Sequence, residues 1–188
     1  MAAKSRKVVV MGYFGVGKSA VTAQFVQGEF PGSYNATVMH SNYRKTIKVR
    51  GQEFDLEILD TAGQYESSNL DPHYGLGVDG YIFVYGINSI VSFNTCKAIN
   101  DKVLNLWGTA SVPLVLVGNK SDLAAAHRQV SRDEAETLAG QWGCEFVECS
   151  AKDNQNVDTV FMKLLDQMEK ARPSAPSSGK QSGGCSLM

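Results

Sequence analysis

Uninterrupted apolar runs alternate with stretches of helical spacing along most of the chain. Val8-Val9-Val10-Met11 ends at a glycine, the pattern of a strand buried on both faces that feeds a loop. Positions 18–27 have helical spacing, with Val21, Phe25 and Val26 on one side. Positions 42–49 and 53–59 predict two strands joined as a hairpin at Arg50-Gly51-Gln52. Tyr81-Ile82-Phe83-Val84-Tyr85 predicts another strand, and 89–106 a helix that Ser89 can cap. A strand follows over 113–117, ending at Gly118. A helix is expected over 131–141, where Ser131 and Glu134 are spaced as a capping box. A short strand at 145–149 and an amphipathic helix at 157–170 complete the pattern.

Strands and helices in this order imply a mainly parallel sheet covered on both faces, with one antiparallel hairpin. No internal repeat is visible. From Pro173 onward the residues turn to Pro, Ser and Gly, too few apolar side chains to build a core. The folded domain is therefore expected to span 1–172, with a disordered tail over 173–188.

Bulk properties narrow the function classes. A chain of 188 residues suffices for one domain with a proper core and is short for two. With 18 basic against 19 acidic residues there is no basic field to hold nucleic acid. Cys96, Cys144, Cys149 and Cys185 make no CxxC pair and no metal-ligand spacing with the histidines, so reduced thiols are expected. No apolar run approaches the ~20 residues of a membrane helix. Positions 1–7 are polar and basic, with no signal-peptide core behind them. The chain is expected in the cytosol unless something else anchors it.

Gly12-Tyr13-Phe14-Gly15-Val16-Gly17-Lys18-Ser19 fits GxxxxGK[ST]. The glycines let the backbone curl so that its N–H groups point inward. Those donors, with the positive end of the following helix, hold phosphate oxygens. Lys18 reaches the β- and γ-phosphates, and the Ser19 hydroxyl is a Mg²⁺ ligand. Chance gives the pattern in roughly one percent of chains this long, so a strand before it and a helix after it make accident a poor explanation.

Leu56-Glu57-Ile58-Leu59-Asp60 is a strand ending in a carboxylate, which falls near the phosphates at the carboxyl edge of the sheet and can hold a Mg²⁺-bound water. In the following Thr61-Ala62-Gly63-Gln64, Gly63 can offer an N–H to the γ-phosphate and Gln64 can orient an attacking water. Thr37 lies where a loop between the first helix and the hairpin could fold over the nucleotide and supply a second hydroxyl to Mg²⁺. After Gly118 comes Asn119-Lys120-Ser121-Asp122. The Asp122 carboxylate can accept both N1–H and the 2-amino hydrogens of guanine, a donor pair adenine lacks, which selects GTP over ATP. The Lys120 stem can lie along the base, Asn119 can tie loops together, and Phe30 can stack on the other face. Ser150-Ala151-Lys152 can bring the Ala151 N–H to guanine O6.

These residues resemble the Ras superfamily, over nearly the whole chain. Lys4-Ser5-Arg6-Lys7, Gly12-Tyr13, Gly51-Gln52-Glu53, Gly80-Tyr81-Ile82, Val84-Tyr85 and Cys185-Ser186-Leu187-Met188 resemble its Rheb branch. The resemblance implies an α/β P-loop NTPase of the Ras-like G domain type: a six-stranded, mostly parallel sheet with one antiparallel strand and five helices. It implies catalytic roles for Gln64 and Lys18, and nucleotide contacts at Gly15, Val16, Gly17, Lys18, Ser19, Ala20, Phe30, Pro31, Tyr34, Thr37, Gly63, Asn119, Lys120, Asp122, Ser150, Ala151 and Lys152. Magnesium would be held by Ser19, by Thr37 and, through water, by Asp60. The implied activity is a monomeric GDP/GTP switch that hydrolyses GTP. An exchange factor would load it, a tuberin-type activating protein would reset it, and the TOR kinase would be its effector.

Two segments depart from that pattern. Phe14 stands where Ras has Gly and Rheb usually has Arg, near where Gln64 and an inserted arginine finger would meet the γ-phosphate. Slow intrinsic hydrolysis and exclusion of such a finger are expected from a ring there. In Val38-Met39-His40-Ser41-Asn42-Tyr43 the families carry acidic or amide residues after Pro-Thr. Here Ala36 replaces the proline, no acid is present and one residue is added, on the surface that would meet effectors; His40 is expected as a solvent-facing strand residue.

The final Cys-a-a-X favours farnesylation of Cys185 by a prenyltransferase. One lipid gives only marginal, reversible membrane binding. The tail offers Lys180 as its only basic residue. Reversible attachment to the cytosolic face of endomembranes is expected. Two rivals are a phosphate-loop kinase, which needs an acceptor pocket and no base-reading Asn119 to Asp122, and a module that binds GTP and scarcely hydrolyses it.

Overall fold

The computed structural model describes residues 2–32, 37, 39–123 and 125–171. In chain order they form β1 (Lys4–Gly12), α1 (Lys18–Gln27), β2 (Ser41–Val49), β3 (Gln52–Asp60), β4 (Gly80–Gly86), α2 (Ile90–Trp107), β5 (Leu114–Asn119), α3 (Arg132–Trp142), β6 (Glu145–Glu148) and α4 (Val157–Ala171). The strands make one sheet in the order β2-β3-β1-β4-β5-β6. Every pairing is parallel except β2 with β3.

The continuous apolar runs follow from burial on both faces. Val8, Val10, Ile82, Val84, Val115 and Val117 pack with Phe25 of α1 and with Val160, Phe161 and Leu164 of α4. Their neighbours Val9, Met11, Tyr81, Phe83, Tyr85, Leu114 and Leu116 pack on the other face with Phe93, Ile99 and Val103 of α2 and Leu138 of α3. Phe25 and Phe161 stack with centroids 3.7 Å apart and join α1 to α4. No helix among the described residues is long and apolar enough to cross a membrane.

The elements match the expected order, with three differences. β1 starts at Lys4, ahead of its apolar run, because Lys4–Lys7 extend the parallel ladder against Phe54–Glu57. The hairpin turn is the two residues Arg50 and Gly51, since Val49 already pairs with Gln52. Both have positive φ, 49° and 81°, as a two-residue loop between twisted strands requires. Third, the described residues contain four α-helices, not five. Between β3 and β4 stands only a 3₁₀ turn, Pro72–Tyr74, capped by Asp71, whose side chain accepts the His73 N–H. Pro72 cannot continue a helix from before it, and Gly75 and Gly77 follow at once.

β1 is the central switch of the sheet: the chain leaves it for β2 and β3 on one side and returns to β4 on the other. The loop after β1 therefore opens into the crevice at the carboxyl edge, where α/β sheets bind ligands.

Candidate functional site

Gly12, Gly15 and Gly17 all have positive φ, 149°, 71° and 95°, so the loop between β1 and α1 curls as only glycine allows without strain. Two of them are also fixed by close approach. A Cβ on Gly12 would lie 2.1 Å from the Val84 carbonyl oxygen, and one on Gly17 would lie 2.3 Å from Asn119 Nδ2. Lys18, buried beneath the loop, donates to the carbonyls of Gly12 at 3.1 Å and Tyr13 at 3.0 Å. Burial lowers its pKa to about 8, against the opposing pull of Asp60.

Ser19, Thr37 and Asp60 converge below the loop. Ser19 Oγ lies 2.8 Å from Thr37 Oγ1 and donates to Asp60 Oδ2 at 2.5 Å. Asp60 is buried, and its Oδ1 has no partner among the described residues. Burial pushes its pKa up, while the Ser19 hydrogen bond and the Lys18 charge oppose the rise. Two hydroxyls and a buried carboxylate, one oxygen of which has no partner among the described residues, are a hard-oxygen donor set that suits Mg²⁺. Among the described residues no cluster of three His, Cys, Asp or Glu side chains could hold a metal without such help.

A cavity of about 290 Å³ opens above these groups. Gly15, Gly17, Lys18, Ser19, Ala20, Phe30, Pro31, Thr37 and Gly63 line it, and Phe14 forms part of its wall. Val16 is buried behind the loop. Phe14 is 45% exposed. A Cβ on Gly63 would sit 2.8 Å from the Phe14 Cα, so the two loops touch there.

The residues expected to read the base are tied to the loop that lines this cavity, through Gly15 and Val16. Asn119 donates to Val16 O at 2.9 Å and accepts the Ala151 N–H on Oδ1 at 3.1 Å, tying three loops together as expected. The Ala151 N–H, expected at guanine O6, is therefore engaged by Asn119. Asp122 is oriented by Ser150 Oγ, which donates to its Oδ1 at 2.7 Å. Lys120 has φ 71° and donates to Gly15 O at 2.8 Å. Burial lowers the Lys120 pKa, and Asp122 opposes it. Lys152 is exposed. His40 is exposed as expected but precedes β2. Tyr34 and Cys185 lie outside the described residues.

Gln64 stands apart from the expectation of a residue facing the γ-phosphate. It is 7% exposed. Its Oε1 accepts the Gly12 N–H at 2.9 Å and its Nε2 donates to Thr61 Oγ1 at 2.9 Å. Thr61 in turn donates to Val10 O at 2.8 Å. Thr61 holds the Gln64 amide, and Tyr13 meets Tyr65 beside it; that edge-to-face contact, 5.3 Å between centroids, has no local signature in the sequence.

The family model described as "Ras family" matches residues 7–170. The chain is 46% identical over 187 residues to "GTP-binding protein Rheb homolog" of Dictyostelium discoideum, covering 98% of each chain. It is 45% identical over 183 residues to "GTP-binding protein rhb1" of Schizosaccharomyces pombe, covering 97% of this chain and 96% of that one. With "GTP-binding protein Rheb" of Homo sapiens it shares 44% over 185 residues, 98% of each.

Proposed function

The chain belongs to the Ras family, and from that premise we propose that it is a Rheb-like signalling switch whose own GTP hydrolysis is slow. It binds guanine nucleotides and hydrolyses GTP, as its family does. The phosphates rest on the N–H groups of the loop after β1, and Lys18 offsets the charge that grows on the leaving oxygens. Ser19, Thr37 and Asp60, the last through water, would hold Mg²⁺, which when bound neutralises phosphate charge. Thr37 and Gly63 would hold their loops only while the γ-phosphate is present, so its loss releases both.

Slow hydrolysis is carried by one observation: both polar atoms of the Gln64 carboxamide are engaged, on Gly12 and Thr61, inside the protein. Phe14 in the cavity wall adds a steric obstacle to a Ras-type arginine finger, a group worth about 10³–10⁵ in kcat where it is used. The same two residues favour a second reading, in which the chain acts mainly as a GTP-bound interaction module. Single-turnover hydrolysis with and without a Ras activating protein tests the proposal. We expect a slow rate with little stimulation; strong stimulation would refute it.

By its likeness to the Rheb branch, the chain is loaded by an exchange factor, reset by a tuberin-type protein and engages the TOR kinase. Met39 and His40 are exposed on the segment that would meet that effector and replace its usual acidic character. A pull-down with GTP-loaded against GDP-loaded protein decides whether TOR or another effector is retained. Farnesylation of Cys185 would hold the monomer reversibly on endomembranes. A Cys185→Ser chain that fractionates like the wild type would count against this.

A further inference from the structure

Residues 12–14 and 63–65 meet along a seam of three paired positions. The Gln64 N–H donates to Gly12 O at 3.0 Å, and the Gly12 N–H donates back to Gln64 Oε1 at 2.9 Å. Gly63 lies against the Phe14 backbone too closely to admit a Cβ. Tyr13 and Tyr65 close the outer end, with centroids 5.3 Å apart and planes at 83°, the edge-to-face arrangement aromatic rings favour. A closed turn presents the Tyr65 ring. The Tyr65 N–H donates to Ser68 Oγ at 2.9 Å, and the Ser68 N–H donates to Tyr65 O at 3.0 Å. Lys102 of α2 holds this turn from the far side through the carbonyls of Glu66 and Ser68.

We infer that the Tyr13–Tyr65 ring pair is a latch that keeps the Gln64 carboxamide on Gly12 and Thr61, and that opening it frees Gln64 to orient the water that attacks GTP. The latch rests on the slow-hydrolysis reading. Gln64 is buried with its backbone N–H and both side-chain atoms paired, so it reaches the cavity only when the seam parts. The rings are next in sequence to Gly12 and Gln64; Tyr13 is half-buried against the core, while Tyr65 is exposed and can swing into solvent without stranding a buried polar group. Hydrolysis then runs through the small unlatched fraction, and anything that weakens the ring contact enlarges it. Tyr13 and Tyr65 are positioning residues, since they act through Gln64.

Single-turnover hydrolysis of GTP with Mg²⁺ by the full chain reads the latch. Tyr65→Ala should raise the rate roughly 2- to 10-fold, the factor that one aromatic pair is worth. Tyr65→Phe keeps the ring and should stay at the wild-type rate. Tyr13→Leu should reproduce the gain from the other side. In a Gln64→Leu background, Tyr65→Ala should gain nothing. Absence of a gain in both tyrosine variants, or a gain that persists without Gln64, overturns the latch and leaves slow hydrolysis standing. Strong stimulation of the wild type by a Ras activating protein overturns both.

Discussion

Asn119 joins the loops after β1, β5 and β6 through two hydrogen bonds made inside the protein. Asn119→Ala removes both partners at once and leaves the Val16 carbonyl and the Ala151 N–H buried and unpaired. Each such group costs about 1–3 kcal/mol, so we expect about 2–6 kcal/mol less stability in denaturant unfolding, and faster GDP release because the loops it joins form the nucleotide site. Cysteines give a pH prediction at the same scale. Burial pushes the thiols of Cys96 and Cys149 up to about 12. Unfolded thiols titrate near 8.5. Between roughly pH 9 and 12 the native chain keeps protons that the unfolded chain has lost, so stability falls as pH rises through that window. Lys18, lowered to about 8 by burial, works the opposite way over the same window, so the difference is the readout: between pH 8 and 10.5 the urea midpoint of the wild type should fall relative to that of a Cys96→Ala/Cys149→Ala variant.

At the level of elements, the start of β1 turns on a charge pair. Arg6 is 3% exposed and its guanidinium meets Glu169 of α4, which also takes Lys4. Glu169→Ala would leave Arg6 in place without its acid. We expect a loss of about 1–3 kcal/mol in thermal unfolding, less than breaking a fully buried pair costs because Glu169 is partly solvated. Arg6→Met, which fills the space without a charge, should cost less. The apolar halves of β1, β4 and β5 and the capping box at Ser131 were legible, because burial on both faces and local capping each leave a local pattern. Lys4–Lys7 read as a polar leader, since the acid that Lys4 and Arg6 share lies more than 160 residues away. Pro72, Gly75 and Gly77 are breakers that explain why the described residues between β3 and β4 form no α-helix, where the family resemblance implies one. In the site, Asp60, Asn119 and Asp122 announced themselves by position after a strand. The destination of the Gln64 side chain did not, because it depends on how two loops meet.

Across the whole molecule, four loops at one edge of the sheet share a single ligand, and this sets how stability should respond to it. The loop after β1, the end of β3, and the segments after β5 and β6 are already cross-tied by Asn119, Lys120 and Ser19. A nucleotide bound there adds ties that the unfolded chain cannot make. Ligand at 100 times its Kd adds about 2.7 kcal/mol to the native state. For a domain of this size each kcal/mol moves Tm by about 2–4 °C, so GDP with Mg²⁺ should raise it by about 5–10 °C. ATP at the same concentration should move it far less, because adenine offers Asp122 no paired donors and leaves its carboxylate unsatisfied. Withdrawing Mg²⁺ with a chelator should cut the GDP shift, since Asp60 Oδ1 then returns to being buried without a partner. Equal shifts with ATP and GDP would mean that Asp122 does not read the base. A GDP shift indifferent to chelation would mean that Ser19, Thr37 and Asp60 do not hold a metal.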